Sequence, residues 1–287
     1  MCRRKTIMKT IALLTDFGHD DIYVGVMKGV MRGLCRDAEF IDITHTVAPQ
    51  HVREAAFALV NAYRFFPSGT VFLVVVDPGV GGTRRAIAVE AGDYCFVAPD
   101  NGVLSYTLRG LGDYHAVELT NPRYHLPQIS QTFNGRDIFA PVAAHLANGE
   151  RLQALGGAVT DLVKMPLPFL EIKERVVQGE VLHVDRFGNI VTSIGRVEWV
   201  DAERITLTSR FADAAPPIPI YAPSARININ GDVIEGVYRT YSDVRRGEVV
   251  ALIGSSSHLE ISVSQGNAAR RFDVAVGDRV DLVLEGE

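Results

Sequence analysis

Two repeating patterns of apolar residues alternate through the first half of the chain. Short apolar runs at Ile11–Leu14, Glu39–Ile43 and Thr70–Val76 predict strands, whereas 23–34 and 52–65 have apolar residues at helical spacing. The run at Thr70–Val76 has no polar alternation, which is typical of a strand covered on both faces. Two further strands and a helix are predicted at Arg85–Glu90, Tyr94–Ala98 and Ile138–Asn148. This order predicts a Rossmann-like α/β domain with a largely parallel sheet.

The pattern changes after the proline-containing segment Met165–Leu170, which predicts a linker. Beyond it, short strand-like runs are separated by Gly, Asp, Asn and Ser. These runs are Glu180–Val184, Asn189–Ile194, Arg204–Thr208, Val249–Ile253, Leu259–Val263 and Arg279–Leu284. The sequence therefore predicts two domains, an α/β domain at 8–165 and an all-β barrel domain at 175–287.

Composition narrows the class of protein. Apolar residues make up 47% of the chain and charged residues 22%, which is ordinary globular usage. The net charge is −5 and no long basic run occurs, so we expect no nucleic-acid partner. No apolar run is long enough to cross a membrane. The three cysteines form no C-x-x-C pair, and a cytoplasmic location is expected.

Several short motifs lack the context that their best-known function requires. Asp16-Phe17-Gly18 matches the metal-binding triplet of kinases, but no H-R-D loop or glycine loop accompanies it. The glycines at 79–82 are followed by a predicted strand instead of a helix N-terminus. His45, His51 and Glu54 lie close together without an H-E-x-x-H helix or a cysteine. We therefore predict no metal site and no cofactor.

Two acids follow predicted strands. Asp16 comes after the first strand, and Asp77 comes after the most apolar one. Because ligands of open α/β sheets bind beyond the carboxyl ends of strands, both acids are candidates for one crevice. Taken alone, Asp16 is better explained as a helix cap and Asp77 as the first residue of a turn. Arg84 and Arg85 follow the Gly-rich turn, and an arginine beside Asp77 would keep that carboxylate ionised, although a surface ion pair is the simpler explanation. The segment Asn134–Asp137 precedes a predicted helix.

A loop of the second domain, Asp185–Asn189, combines an acid, an aromatic ring and an amide. This set suits a purine joined to an amino acid. Phe187 would stack on the base, Asn189 would hydrogen-bond its edge, and Asp185 would pair with an ammonium group. In isolation the same residues make an ordinary β-turn.

In combination, these motifs resemble those of the S-adenosylmethionine hydroxide adenosyltransferases, which are relatives of fluorinase and chlorinase. The resemblance extends from about Thr10 to Val283 and rests on six motifs in one order. They are Thr15-Asp-Phe-Gly18 with Asp21 and Tyr23-Val-Gly25, Asp77-Pro-Gly-Val-Gly-Gly82 with Arg84, Ala98-Pro-Asp-Asn-Gly102, Thr132-Phe-Asn-Gly-Arg-Asp-Ile-Phe139, Asp185-Arg-Phe-Gly-Asn189 and Gly266-Asn-Ala-Ala269.

This resemblance implies hydrolysis of S-adenosylmethionine to adenosine and L-methionine by water attack at ribose C5′. It also implies a homotrimer, with each site between the N-terminal domain of one subunit and the C-terminal domain of the next. Asp16 would hold the ribose hydroxyls, and Asp185 would pair with the methionine ammonium. The remaining substrate-binding residues implied are Asp21, Phe187, Asn189, Tyr241, Ser255, Ser256, Asn267 and Ala268.

The family's hydrolases position water with an Asp, Arg and His trio, which implies catalytic roles for Asp77, Arg84 and Asn134. Asn134 departs from the pattern, because asparagine cannot exchange a proton near neutral pH. Two alternatives follow. One is a non-catalytic protein that binds S-adenosylmethionine or adenosine. The other is a halogenase, because the chlorinase also has a glycine at the position of Gly135. Asp77 argues against a halide because like charges repel.

Overall fold

The computed structural model describes residues 9–211 and 216–284. The chain divides into two compact units, Met1–Met165 and Pro166–Glu287. The outer bounds predicted for the domains, Met8 and Glu287, lie outside the described residues, as does Cys2. Among the described helices, none is long and apolar enough to span a membrane.

The N-terminal unit is a seven-stranded sheet with helices, which confirms the predicted α/β class. Its strands are β1 (Lys9–Thr15), β2 (Ala38–Thr44), β3 (Val71–Val75), β4 (Ala86–Ala91), β5 (Tyr94–Pro99), β6 (Tyr114–Glu118) and β7 (Ala158–Val159). Its helices are α1 (Tyr23–Leu34), α2 (Val52–Ala62), α3 (Ser105–Leu111) and α4 (Ala140–Ala147).

The sheet is mixed, in the order β2-β1-β3-β5-β4-β6-β7. The first four strands in this order are parallel, whereas β4, β6 and β7 join by antiparallel pairs. The reversal begins at β4 and β5, which are joined by the two residues Gly92 and Asp93, too few for a parallel crossover.

The central strand β3 is buried on both faces, which explains its apolar sequence. Val71, Leu73 and Val75 point into one buried layer, and Phe72 and Val74 point into the other. Every side chain of the strand is therefore buried, which removes the need for polar alternation. β3 pairs in parallel with β1, and the last residues of the two strands, Thr15 and Val75, are partners. The residues that follow these two strands must emerge at the same edge of the sheet.

The C-terminal unit is an antiparallel, nearly closed barrel-like sheet, which confirms the predicted all-β barrel. Its path runs β15-β14-β18-β9-β10-β17-β16, with β8 paired to β9, and the edge strands β15 and β16 contact each other. A separate sheet has the order β11-β12-β13. The strands are β8 (Glu171–Lys173), β9 (Val176–Val184), β10 (Ile190–Gly195), β11 (Val197–Trp199), β12 (Arg204–Leu207), β13 (Ile218–Tyr221), β14 (Arg226–Ile229), β15 (Asp232–Glu235), β16 (Val249–Ile253), β17 (His258–Val263) and β18 (Arg279–Val283), with one helix, α5 (Ala268–Phe272).

Candidate active site

A cavity of about 630 Å³ lies at the carboxyl ends of β1 and β3. Its walls combine acids, aromatic rings and amides. They include Asp16, Phe17, Asp21, Tyr23, Gln50, Asp77, Phe133, Asn134, Gly135 and Arg136. The two acids predicted to share a crevice therefore do line one cavity, because β1 and β3 are parallel neighbours.

The Asp77 carboxylate is held by Arg84 at the wall of this cavity. Arg84 Nε donates to both carboxylate oxygens at 3.0 Å, and Arg84 Nη2 donates to Oδ2 at 2.6 Å. The side chains are only 6% and 13% exposed, so the pair is shielded from water. The neighbouring Arg85 instead pairs with Asp100 and Asp161, which leaves Arg84 as the partner of Asp77. Two fixed donors orient the carboxylate rigidly.

Asn134 completes this group. Its Oδ1 accepts from Arg84 Nη2 at 2.6 Å, and its Nδ2 donates to the Ser130 carbonyl at 3.1 Å. The arginine can only donate, so the amide oxygen must face it, and this fixes the orientation of the amide. The second hydrogen on Nδ2 remains a donor for a water or a ligand. The side chain in this position can therefore orient water but cannot take a proton from it.

The Asp16 carboxylate lines the same cavity and accepts from the backbone N–H of Gln50 at 2.7 Å. Gln50 has a φ of 67°, a left-handed conformation that is uncommon for a residue other than glycine. The hydrogen bond from the Gln50 N–H to the Asp16 carboxylate stabilises this conformation. Asp21 is also in the wall, so all five residues predicted in this domain are brought together.

A second buried carboxylate, Asp137, supports the segment that carries Asn134. It is fully buried and accepts from Arg136 Nε at 2.6 Å, from Arg136 Nη2 at 3.0 Å and from the Ser130 backbone N–H at 2.8 Å. The residues Gly135–Phe139 form a π-helical turn before α4. Such turns are frequent at functional sites. Asp137 was not among the predicted site residues. Its hydrogen bond with the Ser130 backbone forms only when the loop between them folds, and the sequence does not show this contact.

Replacing Asp137 with asparagine is expected to destabilise the protein by about 2–3 kcal/mol, since charge-assisted hydrogen bonds of a buried carboxylate are lost. Urea unfolding measures this. Asp113 is exposed, and Asp113→Asn is the matched control, expected within about 0.5 kcal/mol of the parent. Equal stabilities of the two variants would contradict the role given to Asp137.

An aromatic group, also missed from the sequence, lines the cavity. The Phe133 ring lies edge-on to Tyr23 and Phe17, with centroids 5.1 and 6.0 Å away, and Phe17 and Tyr23 are 5.6 Å apart. The Arg136 guanidinium lies 5.1 Å from the centroid of Phe133. These rings give one wall of the cavity an apolar surface that suits a ribose or a thioether.

In the C-terminal unit, Asp185 organises its own loop. Oδ1 accepts from the backbone N–H groups of Phe187 and Asn189 at 2.8 and 2.9 Å, and Oδ2 accepts from Asn189 Nδ2 at 2.9 Å. The Asn189 amide is thereby fixed, and the Phe187 ring is left 74% exposed. An exposed aromatic ring beside an oriented amide suits a planar heterocycle. The predicted pairing of Asp185 with an ammonium stays a prediction.

A second loop packs on the first one. The Ala269 backbone N–H donates to the Gly188 carbonyl at 3.0 Å, and Asn267 caps α5 by accepting from the Arg270 N–H. Gly188 has a φ of 86°, and a Cβ there would lie 2.1 Å from Asn267 Cγ. Only glycine allows this approach. The structure therefore brings the loop of Phe187 and Asn189 next to that of Asn267 and Ala268, and their role as one binding surface stays a prediction.

Tyr241 forms a hydrogen bond with a buried acid, Glu260, which was not predicted from the sequence. Tyr241 donates its hydroxyl to Glu260 Oε1 at 2.6 Å, and Ser262 donates to the same oxygen at 2.9 Å. Burial, followed by the Glu260 carboxylate and the nearby Asp185 charge, raises the pKa of Tyr241. Tyr241 is therefore anchored to the buried Glu260 carboxylate.

Ser255 and Ser256 lie in the turn between β16 and β17. In this turn a Cβ on Gly254 would lie 2.5 Å from Glu260 Oε2, so the turn packs against the buried acid. No group of three or more His, Cys, Asp or Glu side chains with metal-binding geometry occurs in 9–211 or 216–284. His51 contacts Glu54 at 3.9 Å, whereas His45 lies 3.0 Å from Asp42.

The fold and these residues define a two-domain protein in which an α/β unit carries a carboxylate–guanidinium–amide site and a barrel-like unit carries an aromatic and amide surface. Residues 11–156 match the model of the SAM hydroxide adenosyltransferase N-terminal domain, and residues 179–281 match that of the C-terminal domain. The chain belongs to this family.

Individual relatives agree with this assignment. The (R)-S-adenosyl-L-methionine hydrolase of Salinispora tropica is 37% identical, over 94% of this chain and 96% of its own. The fluorinase of Nocardia brasiliensis is 27% identical, over 95% and 96%. A crystal structure of an uncharacterized conserved protein from Thermotoga maritima superposes with a TM-score of 0.82 at 36% identity, covering 95% of this chain and 99% of that one. The sequence is thus more similar to the Salinispora tropica hydrolase than to this fluorinase.

Proposed function

We propose that the protein hydrolyses S-adenosyl-L-methionine to adenosine and L-methionine by attack of water at ribose C5′. The observation that carries this proposal is the shielded Asp77–Arg84–Asn134 group at the cavity wall. The hydrolase relatives are named for the (R) epimer at sulfur, and we extend this preference to the present chain.

The chemistry follows from charge. When the C5′–S bond breaks, the bonding electron pair goes to sulfur. The positively charged sulfonium thereby becomes the neutral thioether of methionine, which is a good leaving group. Water forms the new C5′–O bond and must lose a proton, for which the Asp77 carboxylate is the acceptor. The Asn134 Nδ2–H donates to the water oxygen and orients it, while Arg84 holds both partners. Because the sulfonium supplies its own leaving group, we propose that no metal or organic cofactor is needed.

Substrate binding follows the arrangement of polar groups. We assign the ribose hydroxyls to Asp16 with Asp21 nearby, and the adenine to Phe187, Asn189, Tyr241 and the Asn267–Ala268 backbone. Since the Asp185 oxygens already accept from three groups of its loop, Glu260 is a second candidate for the methionine ammonium. Ser255 and Ser256 are assigned to the carboxylate.

One observation favours a second function. Asn134 accepts from Arg84 and cannot act as a base, so a protein that binds S-adenosylmethionine or adenosine without turnover is the alternative. A halogenase is less well supported, because the Asp77 carboxylate lies in the wall where a halide would bind and like charges repel.

The products distinguish these functions. The purified protein is incubated with each sulfonium epimer, with and without a chelator and with added chloride, and the mixture is chromatographed. Hydrolysis gives adenosine and methionine from the (R) epimer, unaffected by the chelator. Intact ligand recovered from a tight complex supports the binding protein, and a halogenated nucleoside supports the halogenase.

We also propose a homotrimer in which each site is completed by the neighbouring subunit. The exposed apolar side chains Ile22 and Phe187, which are 75% and 74% exposed, support an association that covers them. A complementation experiment tests it. Asp77→Ala and Phe187→Ala subunits, each impaired alone, are unfolded and refolded together. Recovery of activity above the sum of the two supports shared sites, whereas no recovery or a monomeric mass contradicts them.

We further propose a cytoplasmic location. Cys35 and Cys95 are both free, and burial, with the Glu90 charge, raises the pKa of the Cys95 thiol to about 11. An unreactive, unpaired thiol fits a reducing compartment. Fractionation of the source cells tests this, and recovery in a secreted or membrane fraction contradicts it.

A further inference from the structure

The turn that carries Asp16 is fastened to the segment after β2 at three points. The Gly18 backbone N–H donates to the His45 carbonyl at 2.7 Å. Thr15 Oγ1 lies 2.8 Å from His45 Nδ1, and the Gln50 N–H donates to the Asp16 carboxylate at 2.7 Å. Thr15, Gly18 and the Asp16 carboxylate are thus all bound to 45–50.

Neither Thr15 nor His45 is in the cavity wall, and both side chains are fully buried. A substrate in the cavity therefore contacts Asp16 but not the pair behind it. A buried polar pair of this kind costs free energy unless it is satisfied, and once satisfied it fixes the backbone around it.

The direction of the hydrogen bonds follows from the partners. His45 Nε2 lies 3.0 Å from Asp42 Oδ1 but is not aligned with it for a hydrogen bond; because the nearby carboxylate favours a positive hydrogen over a lone pair, we place the ring proton on Nε2. Nδ1 then accepts from the Thr15 hydroxyl, whose oxygen accepts from the Phe17 backbone N–H at 3.3 Å. This order requires a neutral imidazole.

We propose that His45 is a positioning residue for substrate binding: acting through Thr15, it fixes the turn that presents Asp16 to the ribose hydroxyls. The proposal rests on the proposed function in one respect, since it takes a nucleoside as the ligand of Asp16. It assigns no catalytic step to His45.

The charges around His45 give the pH dependence its sign. Burial lowers the pKa of His45, the Asp42 carboxylate opposes this, and Lys28 and the His19 ring, which lies 5.4 Å away, lower it further. Lys28 itself pairs with Asp42 at 2.6 Å. Protonation in acid puts a hydrogen on Nδ1 and removes the acceptor of the Thr15 hydroxyl. Adenosine affinity is therefore expected to fall as the pH decreases.

The test uses Thr15→Val, which has the shape of threonine without its hydroxyl, and Thr15→Ser, which keeps the hydroxyl. Calorimetry measures adenosine binding, and steady-state kinetics measure KM and kcat. Thr15→Val is expected to raise the adenosine Kd and the KM about tenfold with kcat changed less than about threefold, and Thr15→Ser is expected to restore both. An unchanged Kd in Thr15→Val, or an equal loss in Thr15→Ser, overturns the proposal.

A second measurement needs no variant. Adenosine binding to the parent protein is followed from about pH 8 to about pH 4.5, because the pKa of His45 is lowered below that of an ordinary histidine. Weakening toward acid, reduced in Thr15→Val, supports the proposal, and a flat profile overturns it. Because both measurements use adenosine, they stand even if the protein proves not to hydrolyse S-adenosylmethionine. If Thr15→Val hydrolyses S-adenosylmethionine normally and binds adenosine as the parent does, the role proposed for His45 is wrong and the proposed hydrolase function still stands.

Discussion

Asp77→Ala is expected to lower turnover of S-adenosylmethionine about 10²–10⁴-fold, because the proton acceptor for the attacking water is removed. Binding is expected to persist, with the adenosine Kd within about threefold of the parent, since Asp16 and the aromatic wall are unchanged. Single-turnover kinetics and calorimetry measure the two effects separately.

The matched variant is Asp77→Asn, which keeps the shape and one acceptor for Arg84 but cannot take a proton. It should lose as much activity as Asp77→Ala. Asp113→Ala, on an exposed acid, controls for the loss of a negative charge. Retention of most activity in Asp77→Asn would show that the carboxylate only orients Arg84 and Asn134, and that proton transfer goes directly to solvent.

Asn134→His is expected to raise turnover up to about 10²-fold, because an imidazole beside Asp77 can exchange protons near neutral pH. The rate should then acquire an acid limb, as protonated imidazole no longer accepts. Arg84 Nη2 now donates to Asn134 Oδ1, and an imidazole nitrogen can replace that acceptor.

Asn134→Ala is the control for this substitution. It leaves Arg84 without its amide partner and the water without a donor, so turnover should fall. A histidine variant no faster than the parent would mean that Asn134 already does all that this position contributes. Activity of Asn134→Ala equal to the parent would exclude any role for the amide.

The meeting of Asp16 and Asp77 in one cavity was predictable, because it depends only on two apolar strands being parallel neighbours. For this cavity a local pattern was sufficient. The structure shows the Asn189 amide fixed by Asp185, whereas the adenine-binding roles of Phe187 and Asn189 stay predictions. The mixed character of the sheet also had a local indication, the two-residue connection between β4 and β5.

Other parts of the site could not be inferred in this way. Glu260 is one residue in an apolar strand, and only the fold places it against Tyr241, nineteen residues earlier. Asp137 follows an arginine, and its burial depends on how 130–137 closes around it. Gln50 contributes its backbone, and no side-chain pattern records a backbone N–H that meets Asp16. Each of these contacts depends on long-range packing instead of residue type.

The central claim, that water attacks C5′, is tested most directly by hydrolysis of S-adenosylmethionine in heavy-oxygen water, with mass spectrometry of both products. The heavy label is predicted in the 5′-hydroxyl of adenosine and absent from methionine, at a rate that falls in Asp77→Ala. Label in methionine, adenosine without label, or no adenosine from either sulfonium epimer would contradict it.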